Sequence, residues 1–138
     1  MREKVLIVDD EVDFVEINKA ALENKGYQVI PAYNGEEGVK KALEEKPDIV
    51  ILDVMMTTKT EGFDVARELR KHKEMQDTPI IMLTAIRERM DIKWKIQPDK
   101  EWLPVTEFLE KPVPPEKLIE KVEEMLKKKR KNKPVING

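Results

Sequence analysis

The 138-residue chain suits one domain around one hydrophobic core and is short for two. Its 39% charged content is high but nearly balanced at −2, and the absence of Cys excludes disulfides, thiolate metal sites and cysteine nucleophiles. No run approaches the roughly 18 apolar residues that cross a bilayer, and the N-terminus carries no signal-peptide pattern, so a cytoplasmic protein with no membrane association is expected.

Val5-Leu6-Ile7-Val8 is a continuous apolar run of the kind a parallel strand shows when both of its faces are covered. It stops abruptly at Asp9-Asp10-Glu11. A helix is predicted from Val12 to Lys25, with Phe14, Ile17 and Ala21 at helical spacing and Gly26 at the C-cap. Tyr27 to Ala32 reads as a second strand. Asn34 can cap a helix to about Lys46, with Val39, Ala42 and Leu43 inward and Pro47 ending it.

The third apolar run, Ile49 to Leu52, again ends in an aspartate, Asp53. A polar loop through Gly62 follows, then a helix from about Phe63 to His72. Pro79 to Leu83 is the fourth strand, ended by Thr84. Glu107-Phe108-Leu109 forms a short fifth strand closed by Lys111-Pro112, and a last amphipathic helix covers about Pro115 to Lys129. This alternation predicts an α/β domain with a parallel sheet, right-handed crossovers and helices on both faces. The domain is expected over 1–129, with a basic and flexible tail over 130–138 and no second, DNA-binding output domain.

Asp9, Asp10, Asp53, Thr84 and Lys111 each fall at or just beyond the C-terminal end of a strand, where open α/β sheets bind ligands. Three carboxylates gathered there repel one another unless a cation joins them, and Mg²⁺ suits oxygen ligands. A hydroxyl and an ammonium serve phosphoryl oxygens, and a carboxylate can itself be the nucleophile. Any one of these residues alone is commonly a cap, a turn or a solvated side chain. Five of them at matching strand ends point to phosphoryl chemistry.

The motifs Val-Leu-Ile-Val-Asp-Asp-Glu at 5–11, Asp-Ile-Val-Ile-Leu-Asp-Val-Met-Met at 48–56, Pro-Ile-Ile-Met-Leu-Thr-Ala at 79–85 and Phe-Leu-Glu-Lys-Pro at 108–112 occur in that order. Together they resemble the receiver domain of two-component response regulators, over residues 2 to about 128. The resemblance implies a flavodoxin-like, doubly wound five-stranded sheet of order 2-1-3-4-5. It implies Asp53 as phosphoacceptor and Mg²⁺ bound by Asp10, Asp53 and the backbone carbonyl of Met55, with Asp9 assisting. It further implies that Thr84 and Lys111 contact the phosphoryl group, that the Lys111–Pro112 peptide is cis, and that Thr84 and Phe108 form the switch. The implied partners are a sensor histidine kinase or phosphotransfer protein and a downstream protein target, with the chain a monomer or a phosphorylation-dependent dimer.

Two departures stand out. Thr57 replaces the usual proline of the loop after Asp53, and Gly62 comes one residue late. The interval from Thr84 to Lys111 is several residues long for the family and carries Trp94 and Trp102, read either as cover for a lengthened loop or as a partner surface. Apolar Met55 and Ile86 flank the site and predict slow self-dephosphorylation. A receiver-like scaffold that never uses phosphate and a Mg²⁺-dependent aspartyl phosphohydrolase are the competing readings. The second acid that such hydrolases commonly carry is replaced here by Met55. A P-loop enzyme is excluded, since no Gly-x-x-x-x-Gly-Lys-[Ser/Thr] occurs.

Overall fold

The computed structural model describes residues 2–54, 61–84 and 105–131. Within these, the elements are β1 (Lys4–Val8), α1 (Val12–Asn24), β2 (Gln28–Ala32), α2 (Gly35–Glu45), β3 (Ile49–Asp53), α3 (Glu61–Arg70), a 3₁₀ turn (Lys73–Met75), β4 (Ile80–Thr84), β5 (Glu107–Glu110) and α4 (Pro115–Lys131). The strands form one parallel sheet of order β2-β1-β3-β4-β5. Chain order reverses between β1 and β3, which opens a crevice beyond their C-terminal ends.

Register sets where the polar residues emerge. Val8 pairs with Leu52 and Asp53 with Leu83, so β1, β3 and β4 end nearly level. Leu83 pairs with Leu109, which brings the end of β5 to the same edge. Backbone bonds extend the alignment past the strands: Asp9 N donates to Ala32 O at 3.0 Å, Val54 N to Leu83 O at 2.9 Å, and Lys111 N to Thr84 O at 2.9 Å.

Strand side chains alternate between the two faces, and the core accordingly divides in two. Leu6, Val8, Val50, Leu52, Ile80 and Met82 pack on one face with Ala42 of α2 and Val65, Ala66 and Leu69 of α3. Val5, Ile7, Ile49, Ile51, Ile81 and Leu83 pack on the other with Val15 and Leu22 of α1 and Leu118, Val122 and Met125 of α4. Burial on both faces is why these strands read as unbroken apolar runs.

Helix caps match the sequence reading in part. Asn34 Oδ1 accepts from Glu37 N at 2.8 Å at the start of α2, and Lys46 closes that helix in the left-handed region at φ 49°. The inward stripe of α1 differs from expectation. Val15, Asn18 and Leu22 are buried, whereas Ile17 is 58% exposed and Phe14 only partly covered. The true stripe lies one residue, or about 100°, around the helix from the expected one. A polar residue in its middle, Asn18, hid it from hydrophobic periodicity. That asparagine donates through Nδ2 to Phe14 O at 2.8 Å.

The packing of α2 on β1 depends on Gly38, where an added Cβ would lie 2.8 Å from one Val8 methyl and 2.9 Å from the other. Gly38→Ala is expected to lower stability by about 1–2 kcal/mol through overpacking, despite alanine's gain of roughly 1 kcal/mol in helix propensity. Urea melts of Gly38→Ala, Val8→Ala and the double variant check this. The double variant should be less destabilised than the sum of the singles, and strict additivity would show that the contact does not limit the packing.

Candidate functional site

The crevice beyond β1 and β3 is built from strand ends. Asp9 follows β1 and continues the alternation of Val5 and Ile7, and Asp53 ends β3 in the phase of Ile49 and Ile51. Both carboxylates therefore leave the sheet on the α1 and α4 side. Asp9 is fully buried and Asp53 is 4% exposed, while Asp10 is open to solvent. Ligand oxygens of Asp9, Asp10 and Asp53 all lie within 4.8 Å of one another.

One lysine answers them. Lys111, just past β5, places Nζ 3.0 Å from Asp9 Oδ2, 2.7 Å from Glu11 Oε1 and 3.5 Å from Asp53 Oδ1. Its ammonium also sits 4.7 Å from the centroid of the Phe14 ring, a cation–π contact from the first turn of α1. Asp9 Oδ1 accepts from Glu11 N at 2.9 Å, which fixes the turn between β1 and α1.

The electrostatics follow from burial and like charge. Burial pushes the Asp53 carboxyl from 3.8 to about 7, with neighbouring Asp9 adding to the rise and Lys111 opposing it. Burial also raises Asp9, against the Glu11 N–H and Lys111, which favour its charged form. Burial works against the Lys111 charge, but its bond to Glu11 and its attraction to Asp53 and Asp9 prevail and raise it. Negative charge is thus in excess at the site. Several hard oxygen donors with too little counter-charge are the donor set that a divalent cation such as Mg²⁺ fits.

Thr84 ends β4, buried to 7% exposure, and its backbone carbonyl holds Lys111 N. In strand phase it shares the face of Met82 and Phe108, which are register partners. Phe108 is partly buried and packs against the α2 and α3 side of the core. Lys111–Pro112 is cis. Gly62 lies where the chain returns to α3: its N donates to Val54 O at 2.8 Å, and an added Cβ would lie 2.6 Å from Val54 Cα. Met55, Thr57, Ile86, Trp94 and Trp102 lie outside the described residues, as does the tail beyond Lys131. The structure thus brings Asp9, Asp10, Asp53 and Lys111 together at one edge of the sheet. It adds two neighbours that sequence reasoning gave no role, Glu11 and Phe14.

The fold and this cluster define a class of signalling domain. The chain belongs to the response regulator receiver domain family, whose model matches residues 5–123. It is 39% identical over 128 residues to the alkaline phosphatase synthesis transcriptional regulatory protein PhoP of Bacillus subtilis, covering 93% of this chain and 50% of that one. Among solved structures it resembles a CheY-like response regulator receiver domain protein from Methanospirillum hungatei (TM-score 0.81, 25% identity, 96% of this chain and 100% of that one). It also resembles the chemotaxis response regulator CheY4 of Vibrio cholerae (TM-score 0.74, 30% identity, 91% and 99%). The chain spans half or less of the length of the curated relatives it matches.

The raised Asp53 makes a test in metal-free buffer. A carboxyl pushed up from 3.8 to about 7 contributes stability that is fully present below pH 3.8 and lost as pH rises toward 7. Asp53→Asn should therefore melt above the parent protein in EDTA by roughly 5 °C at pH 8, and by less at pH 5. Thermal melts of both proteins at the two pH values check this. An equal difference at both would mean that Asp53 carries no such burden.

Proposed function

We propose that this chain is a phosphorylation switch in which Asp53 takes a phosphoryl group from a sensor histidine kinase or a phosphotransfer protein. The observation that carries the reading is the convergence of Asp9, Asp10 and Asp53 with Lys111 at the sheet edge. In this reading an Asp53 carboxylate oxygen attacks the donor phosphorus. An O–P bond forms as the donor's N–P bond breaks, and the electron pair leaves with the imidazole, which takes a proton from solvent. No general base is needed once Asp53 is ionised, and a cation held beside it would favour that form against the rise to about 7 that burial causes.

Asp9, Asp10 and Asp53, with the backbone carbonyl of Met55, would hold Mg²⁺. Bound there, the ion supplies neutralisation of charge on the phosphoryl oxygens. The Lys111 ammonium lies near enough to Asp53 to contact a phosphoryl group placed on it. Thr84 supplies a hydroxyl from the neighbouring strand end and is drawn toward the new charge, while Phe108, on the same face one strand over, moves into the space it leaves. Self-dephosphorylation is slow, because Met55 and Ile86 offer an attacking water no polar partner.

The domain comprises residues 1–129 with a basic tail over 130–138, into which the last turn of α4 runs as far as Lys131, and it acts in the cytoplasm. No described helix is long and apolar enough to cross a membrane. The output is protein–protein contact, through a surface that includes Trp94 and Trp102, by a monomer or a phosphorylation-dependent dimer. The relative from Bacillus subtilis is a transcriptional regulatory protein of about twice this length.

The experiment is incubation with acetyl phosphate or phosphoramidate and Mg²⁺, followed by intact-mass measurement. A single phosphoryl adduct is expected, absent in Asp53→Ala and without Mg²⁺. No adduct with either donor would favour a scaffold that does not use phosphate. Rapid multiple turnover of unrelated phosphoesters would favour an aspartyl phosphohydrolase.

A further inference from the structure

Glu11 occupies the N-cap of α1, a position that favours Ser, Thr, Asp or Asn because a short side chain can reach back to a free helical N–H. Its backbone fits the role, with φ −84° and ψ 98°, yet its side chain makes no capping bond. The carboxylate turns instead to Lys111, accepting from Nζ at 2.7 Å, the shortest of the three contacts that ammonium makes with acids. Asp9 Oδ2 is at 3.0 Å and Asp53 Oδ1 at 3.5 Å. Lys111 is therefore held most closely by the one acid of the three that stands outside the Asp9, Asp10 and Asp53 cluster, with the Phe14 ring beside it.

We infer that Glu11 is a positioning residue that parks Lys111 in the unphosphorylated protein, so that a phosphoryl group on Asp53 must compete with the Glu11 carboxylate for the ammonium. This deepens the proposed function and rests on it. Lys111 is largely buried, with 14% of its side chain exposed, whereas Glu11 is 64% exposed. The Asp9 contact is sheltered from water and the Glu11 contact faces it. An ion pair with one partner in water is weak, so the tether is breakable. The Glu11 backbone stays in place whatever its side chain does, because its N–H is held by Asp9 Oδ1 and its C=O accepts from Val15 N at 3.1 Å. Changing the Glu11 side chain therefore alters the hold on Lys111 and leaves the turn intact.

The probe is beryllofluoride with Mg²⁺, a stable mimic of a phosphoryl group, titrated into the full chain with Trp fluorescence or calorimetry as readout. Glu11→Gln should bind it about two- to fivefold more tightly than the parent protein, the range an exposed ion pair allows. In a Lys111→Met background the same substitution should leave affinity nearly unchanged, since the competition has lost its object. Equal tightening in both backgrounds would mean that Glu11 acts only as a general negative charge near an anion site, and the parking role would be overturned. No tightening in either background would overturn it as well. Failure of the underlying site is separable. If Asp53→Asn binds beryllofluoride as well as the parent protein does, the phosphoacceptor reading itself falls.

Discussion

Two buried carboxylates, Asp9 and Asp53, face one partly buried ammonium, that of Lys111, across the ends of three strands, and this arrangement constrains the rest of the molecule. Removing charge from water costs several kcal/mol per ion after relaxation, and one lysine cannot fully compensate two acids. The raised Asp53, at about 7, is the measurable residue of that imbalance. Such a cluster is tolerable only on a scaffold with stability in hand. The three central strands supply it. Leu6, Ile7, Ile49, Ile51, Leu52, Ile80, Ile81 and Leu83 are all fully buried, and each contributes on the order of 1.5–3 kcal/mol by leaving water.

The parallel sheet also determines which way each functional group faces. Asp9, Asp53 and Lys111 continue the strand phase that points toward α1 and α4, and Phe14 and Glu11 meet them from that side. Thr84 falls in the opposite phase, with Met82 and Phe108, toward α2 and α3. In the proposed reading one phosphoryl group at Asp53 is thus sensed on both faces. Lys111 registers it on one side and Thr84 with Phe108 on the other. Neither face needs a long relay, because β3 and β4 are adjacent and β4 hydrogen-bonds β5 directly.

Much of this was legible in the residues because the strands are buried on both sides. Apolar runs that stop at Asp9 and at Asp53 mark both a strand end and a polar group at the crevice, so sequence reading placed the acids well. Strand order is different: alternation of strand and helix does not distinguish order 2-1-3-4-5 from others, and that order came from family resemblance. The α1 face was misjudged because Asn18 interrupts the buried stripe, while Phe14 and Ile17 make a more apolar one that faces outward or sideways. Glu11 carried no readable signal. Its partner is 100 residues away in sequence, and only the sheet order brings them into contact.

Lys111 has to satisfy two opposing demands. It lowers the repulsion between Asp9 and Asp53, which asks for a firm hold, and in the proposed function it must also be available to a new anion, which asks for a loose one. A group can be shifted between two arrangements only by a differential interaction, and the weaker its original hold, the smaller the difference required. The contacts are graded accordingly. Asp9 is buried and anchors the ammonium near the site, whereas Glu11 is solvent-exposed and yields at little cost. Had the third contact been a third buried acid beside Asp9 and Asp53, Lys111 would be locked by interactions worth several kcal/mol. A surface glutamate in that place keeps the lysine ordered and still movable.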